Sequence, residues 1–131
     1  MPSPLDIHQK SWSVMLEKLF GNVVIEKILF YLLVNEKGYP SLLSRVFDVP
    51  LYSIQKAIAR LEDGGIVVAE LQGKTRVYQF NPRYPMLREL REFLSKSYSF
   101  LPREFKEKYY EAPVRRRPRR KGKPLKRVQD D

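Results

Sequence analysis

Apolar residues recur at helical spacing through Trp12, Met15, Leu16, Leu19 and Phe20, and Gly21 supplies a stop. Asn22 is placed to cap a second helix. Its apolar members Ile25, Ile28, Leu29, Leu32 and Leu33 follow the i, i+3, i+4, i+7, i+8 rule, the strongest periodic signal in the chain. Gly38-Tyr39-Pro40-Ser41 interrupts it, with Ser41 expected to cap a short third helix holding Leu42, Leu43, Val46 and Phe47. After Asp48-Val49, Pro50 is expected in the first turn of a fourth helix that runs to about Asp63 and stops at Gly64-Gly65. Ile54, Ile58 and Leu61 form its inward stripe. The opposite face carries Tyr52, Lys56 and Ala59, flanked by Ser53, Gln55 and Arg60.

The period then changes. Ile66 to Leu71 is β-prone, Gln72-Gly73-Lys74 has turn chemistry, and Thr75 to Phe80 is β-prone again, with Tyr78 and Phe80 on one face. These residues predict a hairpin over 66–80. Asn81-Pro82 and Tyr84-Pro85 close it and launch a helix bearing Leu87, Leu90 and Leu94, with Phe93 beside them. A further helical stretch after Pro102 contains Phe105 and Tyr109.

Length and charge refine this picture. At 131 residues the chain has room for one modest core. Lys+Arg 25 against Asp+Glu 15 leaves a formal net charge of +10, which favours a polyanionic partner. The excess is concentrated. Ala112 to Asp131 holds nine Lys/Arg and two Asp, a net +7, whereas Met1 to Glu111 carries +3. The organisation expected is an N-terminal segment or helix (1–15), a core domain with its C-terminal helix (16–98), an additional helix (99–111) and a disordered basic arm (112–131).

Other classes recede. With no cysteine there is no disulfide frame, thiolate metal site or thiol nucleophile, and the single histidine, His8, cannot build a triad or a histidine cage. The nearest acidic clusters are Glu62-Asp63 and Glu89/Glu92. The second is accounted for by salt links to Arg88 or Arg91. Neither a nucleophile with its base nor a phosphate-cradling loop is present, so no enzyme, no metal and no cofactor is expected. Ile28 to Val34 falls short of a membrane span, and Met1 to Asp6 lacks the regions of a secretory signal. A cytoplasmic protein is expected, nucleoid-associated if prokaryotic.

Three helices, the last two joined by a short turn, followed by a hairpin, give the order of a winged helix-turn-helix. The predicted fold is therefore mainly α with a small β-hairpin and flanking N- and C-terminal helices. Leu16 to Leu94 resembles the winged-helix regulators of the ArsR-like broad group. The likeness rests on Leu19-Phe20-Gly21-Asn22, on the helix Val49 to Leu61 with Glu62-Asp63-Gly64-Gly65-Ile66-Val67, and on Gly73-Lys74-Thr75-Arg76-Val77-Tyr78 with Asn81-Pro82. It implies that Tyr52, Ser53, Gln55 and Lys56 face bases, while Arg60, Lys74 and Arg76 hold phosphates. The cysteine pair of the metal-sensing branch is missing, which argues against a metal-responsive role.

The arm adds Arg115, Arg116, Arg117, Arg119, Arg120, Lys121 and Lys123 to the expected DNA-binding set. Lys121-Gly122-Lys123-Pro124 resembles the core of an AT-hook with lysines for arginines, and Arg115-Arg116-Arg117-Pro118 resembles it with Arg116 in place of the glycine. Lysine lacks the flat fork that lies in the minor groove, so non-specific phosphate binding is the expected role. Trp12, Phe93 and Tyr98 either close the core or pair two subunits into a homodimer. The function expected is a double-stranded-DNA-binding transcriptional regulator that reads the major groove with helix 50–63 and the backbone with a wing. The alternative is a winged-helix adaptor that docks a protein or RNA.

Overall fold

The structure, a computed structural model, describes residues 16–111. Expectations for 1–15, including His8, Trp12 and Met15, and for the basic residues of 112–131 lie outside the described residues. Those described form six α-helices and one two-stranded antiparallel sheet. In chain order they are α1 (Glu17–Phe20), α2 (Val23–Asn35), α3 (Pro40–Phe47), α4 (Leu51–Asp63), β1 (Val67–Gln72), β2 (Thr75–Phe80), α5 (Leu87–Ser99) and α6 (Arg103–Phe105). A π-helical turn, Lys106–Tyr110, follows α6.

α2 is the centre of the core. Asn22 has extended backbone, and its Oδ1 accepts from the N–H groups of Val24 at 2.7 Å and Ile25 at 3.1 Å, satisfying two orphan donors of the first turn. Every residue from Ile25 to Leu32 except Lys27 is buried, because α1, α4, α5 and the π-turn each lie against this helix. The periodicity predicts a five-residue inward stripe; Phe30 and Tyr31 are buried as well. Phe30 meets Tyr98 and Tyr110 at ring-centroid distances of 5.6 and 5.8 Å. Glu26 is also buried, and its Oε1 accepts the Leu16 N–H at 2.6 Å.

The exit from α2 joins helices to sheet. Glu36 has φ 73°, rare for a residue with a side chain, and Lys37 N–H donates to the Asn35 carbonyl at 2.8 Å, closing a γ-turn. Gly38 then exchanges two backbone hydrogen bonds with Tyr78, at 3.0 and 2.8 Å, adding one rung beside β2. A Cβ on Gly38 would lie 3.3 Å from side-chain carbons of Leu43 and Tyr31, so this close approach favours glycine. In the hairpin Val67 pairs with Phe80 and Gln72 with Thr75, leaving Gly73-Lys74 as a two-residue turn with Gly73 at φ 67°. Val67, Tyr78 and Phe80 face the core.

Several local expectations are corrected. Ser41 does not cap α3: Tyr39 flanks the helix and Pro40 opens it, since proline's fixed φ fits the first helical position, where its missing N–H would have no intrahelical partner. Pro50 stands just outside α4, which begins at Leu51. Leu19 is 63% exposed rather than on an apolar stripe; the inward residues here are Leu16, just before α1, and partly Phe20. Gln72 belongs to a strand. Arg88 pairs with Glu89 at 3.2 Å, but Arg91 reaches Glu36 at 3.9 Å instead of its helical neighbours. Tyr98 packs on the core, whereas Phe93 is 42% exposed. The stretch after Pro102 is a three-residue helix and a π-turn, anchored by the buried Tyr110 and by Asn35 Nδ2, which donates to the Tyr110 carbonyl at 2.9 Å.

Two stability outcomes follow. Asn22→Ala removes one cap and costs about 1 kcal/mol, while Phe30→Ala opens the core and costs about 3–5 kcal/mol; urea unfolding at neutral pH measures both. The Tyr110 phenol is held well above its usual range, first by burial and then by the charge of Glu26; Tyr98 is raised by burial and its bond to Glu111. Unfolded tyrosine ionises near pH 10, so the neutral folded phenols stabilise fully below that pH and lose ground above it. Tyr110→Phe therefore flattens the loss of thermal stability between roughly pH 9.5 and 11.

Candidate nucleic-acid interface

α3 and α4 are joined by Asp48-Val49-Pro50. Asp48 takes the left-handed conformation, φ 57°, and Ser44 Oγ donates to the Val49 carbonyl at 2.6 Å, so the turn is tight. This junction aims the apolar stripe of α4, Ile54, Ala57, Ile58 and Leu61, into the core. The opposite face is left to solvent. Tyr52 is 68% exposed, Gln55, Lys56, Ala59 and Arg60 are exposed, and Ser53 is half-buried at the edge of the face. Lys56 Nζ lies 5.8 Å from the Tyr52 ring centroid, one helical turn away.

The hairpin is tied to the far end of this helix. Arg76 Nε donates to the Tyr78 hydroxyl at 3.1 Å, and its Nη2 lies 3.6 Å from Glu62 Oε2. The hydrogen bond and charge interaction with Tyr78 raise the guanidinium above its ordinary pKa, and Glu62 adds the smallest share. Arg76 is thus engaged within the fold as well as exposed. Lys74 stands at the tip of the turn, exposed, and Leu71, which pairs across the strands with Arg76, is 64% exposed beside it. Lys37 and Glu70 face each other at 4.0 Å on the hairpin's other side.

Of the expected site residues, Tyr52, Gln55, Lys56 and Arg60 share one open helical face, Lys74 and Arg76 share one hairpin end, and the Glu62–Arg76 pair links the two elements. Arg115, Arg116, Arg117, Arg119, Arg120, Lys121 and Lys123 lie outside the described residues. Sequence reasoning missed the part of Glu62, seen only as a neighbour of Asp63; the cross-strand register that aims Arg76 toward α4 needed coordinates. It also passed over the exposed Arg45 on α3.

Among the described residues no group of three or more His, Cys, Asp or Glu is arranged to hold a metal, and no helix is long and apolar enough to cross a membrane. An open groove lined by Leu33, Tyr84, Leu87, Arg88 and Arg91 lies apart from α4 and the hairpin tip. No protein-family model matches the chain, and no curated protein or solved structure matches it.

Glu62 competes with any external anion for Arg76. Because exposed ion pairs contribute little to stability, Glu62→Gln leaves the unfolding midpoint nearly unchanged. In a complex where this hairpin end meets the phosphates of a DNA duplex, the same change would tighten binding at low salt by up to roughly fivefold, the scale of one unit charge a few ångströms away in water. Fluorescence-anisotropy titration beside thermal unfolding tests both halves.

Proposed function

We propose that the chain is a winged helix-turn-helix DNA-binding protein that acts as a transcriptional regulator, as its likeness to the ArsR-like broad group implies. Support for the winged helix comes from α2, the single rung at Gly38, the tight α3–α4 junction and the β1–β2 hairpin, which follow that fold's order. The observation that carries the function is the uncommitted face of α4. It is open and mostly polar, and it is joined through Glu62–Arg76 to a hairpin with Lys74 at its tip. In this reading α4 enters the major groove, about 12 Å wide, and the hairpin lies along the backbone. The arm supplies sequence-independent attraction, since +7 of the formal charge sits in Ala112 to Asp131.

The exposed apolar residues Leu51, Tyr52 and Leu71 favour a second reading, a module that docks a protein through the same face.

Selection from random duplexes, with and without residues 112–131, separates the two. An enriched motif supports the regulator, and two-fold symmetry in it marks a homodimer. Failure to enrich, with a protein partner co-purifying, supports the adaptor. In the regulator, Lys56→Ala reduces discrimination among sites by about 1–3 kcal/mol. Deleting 112–131 weakens all duplexes alike and lowers the salt slope by about 0.9 for each phosphate that the arm had neutralised.

A further inference from the structure

The first nine residues of α4, Leu51 to Ala59, contain no Arg, Asn, Asp or Glu. Bidentate reading of a guanine by arginine and acceptance from a cytosine amino group by a carboxylate are therefore both missing from the part of a recognition helix that meets base edges. Lys56 is the one cation there, the group left to meet a guanine, and its ammonium sits 5.8 Å from the Tyr52 ring. Gln55 is the one carboxamide. It is exposed, and its amide is used by no partner among the described residues. A carboxamide offers one donor and one acceptor side by side, the complement of adenine N7 and the adenine amino group.

Two of its neighbours on the face carry apolar surface. Tyr52 precedes Gln55 by three residues and Ala59 follows by four, both exposed. At about 1.5 Å rise per residue they stand roughly 4.5 and 6 Å from Gln55 along the axis, one to two base-pair steps of about 3.4 Å. With the helix axis lying along the groove, apolar groups so spaced match the methyl groups of thymine.

We propose that Gln55 determines specificity by pairing with an adenine in the major groove, with Tyr52 and Ala59 resting on thymine methyls one or two steps away. The preferred site then holds an adenine opposite Gln55 with thymines one or two steps from it. This inference rests on the DNA-binding reading above and assigns the bases that the face selects.

The test uses the full chain and the enriched duplex from the random selection. Gln55→Ala, at an exposed position, keeps the wild-type unfolding midpoint. It loses discrimination at one adenine by roughly 5- to 100-fold, the range a bidentate base contact provides. Placing 7-deazaadenine at that position weakens the wild type similarly and leaves Gln55→Ala unaffected. Replacing the flanking thymines by uracil weakens the wild type and has little effect on Tyr52→Ala. A motif without such an adenine, or one whose adenine preference persists in Gln55→Ala, overturns the assignment while DNA binding stands. If no motif is enriched, the DNA-binding reading falls and the assignment falls with it.

Discussion

Burial of α2 is the constraint on which the rest of the structure depends. Ile28, Leu29, Phe30 and Leu32 are almost wholly removed from solvent, on successive sides of one helix, so four other elements must cover it. Once α1, α4, α5 and the C-terminal turn are committed to that task, each can turn only its outer face to a partner. Polar groups mark the limits of the arrangement. Asn22 fixes where α2 begins, and Asn35 fixes where it ends by donating to Tyr31 and to Tyr110. The positive φ of Glu36 turns the chain immediately afterwards, which delivers Gly38 to the edge of β2. The position of the hairpin is therefore set by the same helix that organises the core.

The candidate interface follows from this division. α4 commits one apolar stripe, Ile54, Ala57, Ile58 and Leu61, to the core, so its outer face is left to solvent. That face is weakly charged. Lys56 and Arg60 are offset by Glu62 and Asp63 near the end of the helix, and Glu62 already engages Arg76. The hairpin's angle to the helix is set by Val67, Tyr78 and Phe80 packing into the core, with the exposed Arg76–Glu62 pair lying across the junction. In the proposed function that angle sets how far apart the groove and backbone contacts fall.

Much of this was legible in the chain, and the exceptions have physical causes. The spacing of Ile54, Ile58 and Leu61 defined the inward side of α4, and the run of β-prone residues around Gly73 defined the hairpin, because both signals are local. Asn22 was readable as a cap for the same reason. What escaped was non-local. The rung between Gly38 and Tyr78, the ring contacts of Tyr110 with Phe30 and the pairing of Arg76 with Glu62 join residues distant in sequence, which periodicity does not register. Leu19 fitted a helical stripe yet is exposed, because α1 spans only four residues and presents little of that stripe to α2.

The uneven distribution of charge bears on how affinity and specificity would be divided. A recognition face with two cations offset by two acids gains little from phosphate attraction, so its contribution depends on shape and on hydrogen bonds to base edges, which salt screens weakly. A segment with nine cations in twenty residues has the opposite character: it gains from counterion release on any sequence and discriminates poorly. Placing the two on different parts of the chain lets each be altered without the other. Cations on α4 would draw the helix toward phosphates and away from base edges. In the proposed function a near-neutral face leaves the choice among sites to hydrogen bonds and apolar contacts, while the arm adds the same attraction to every duplex.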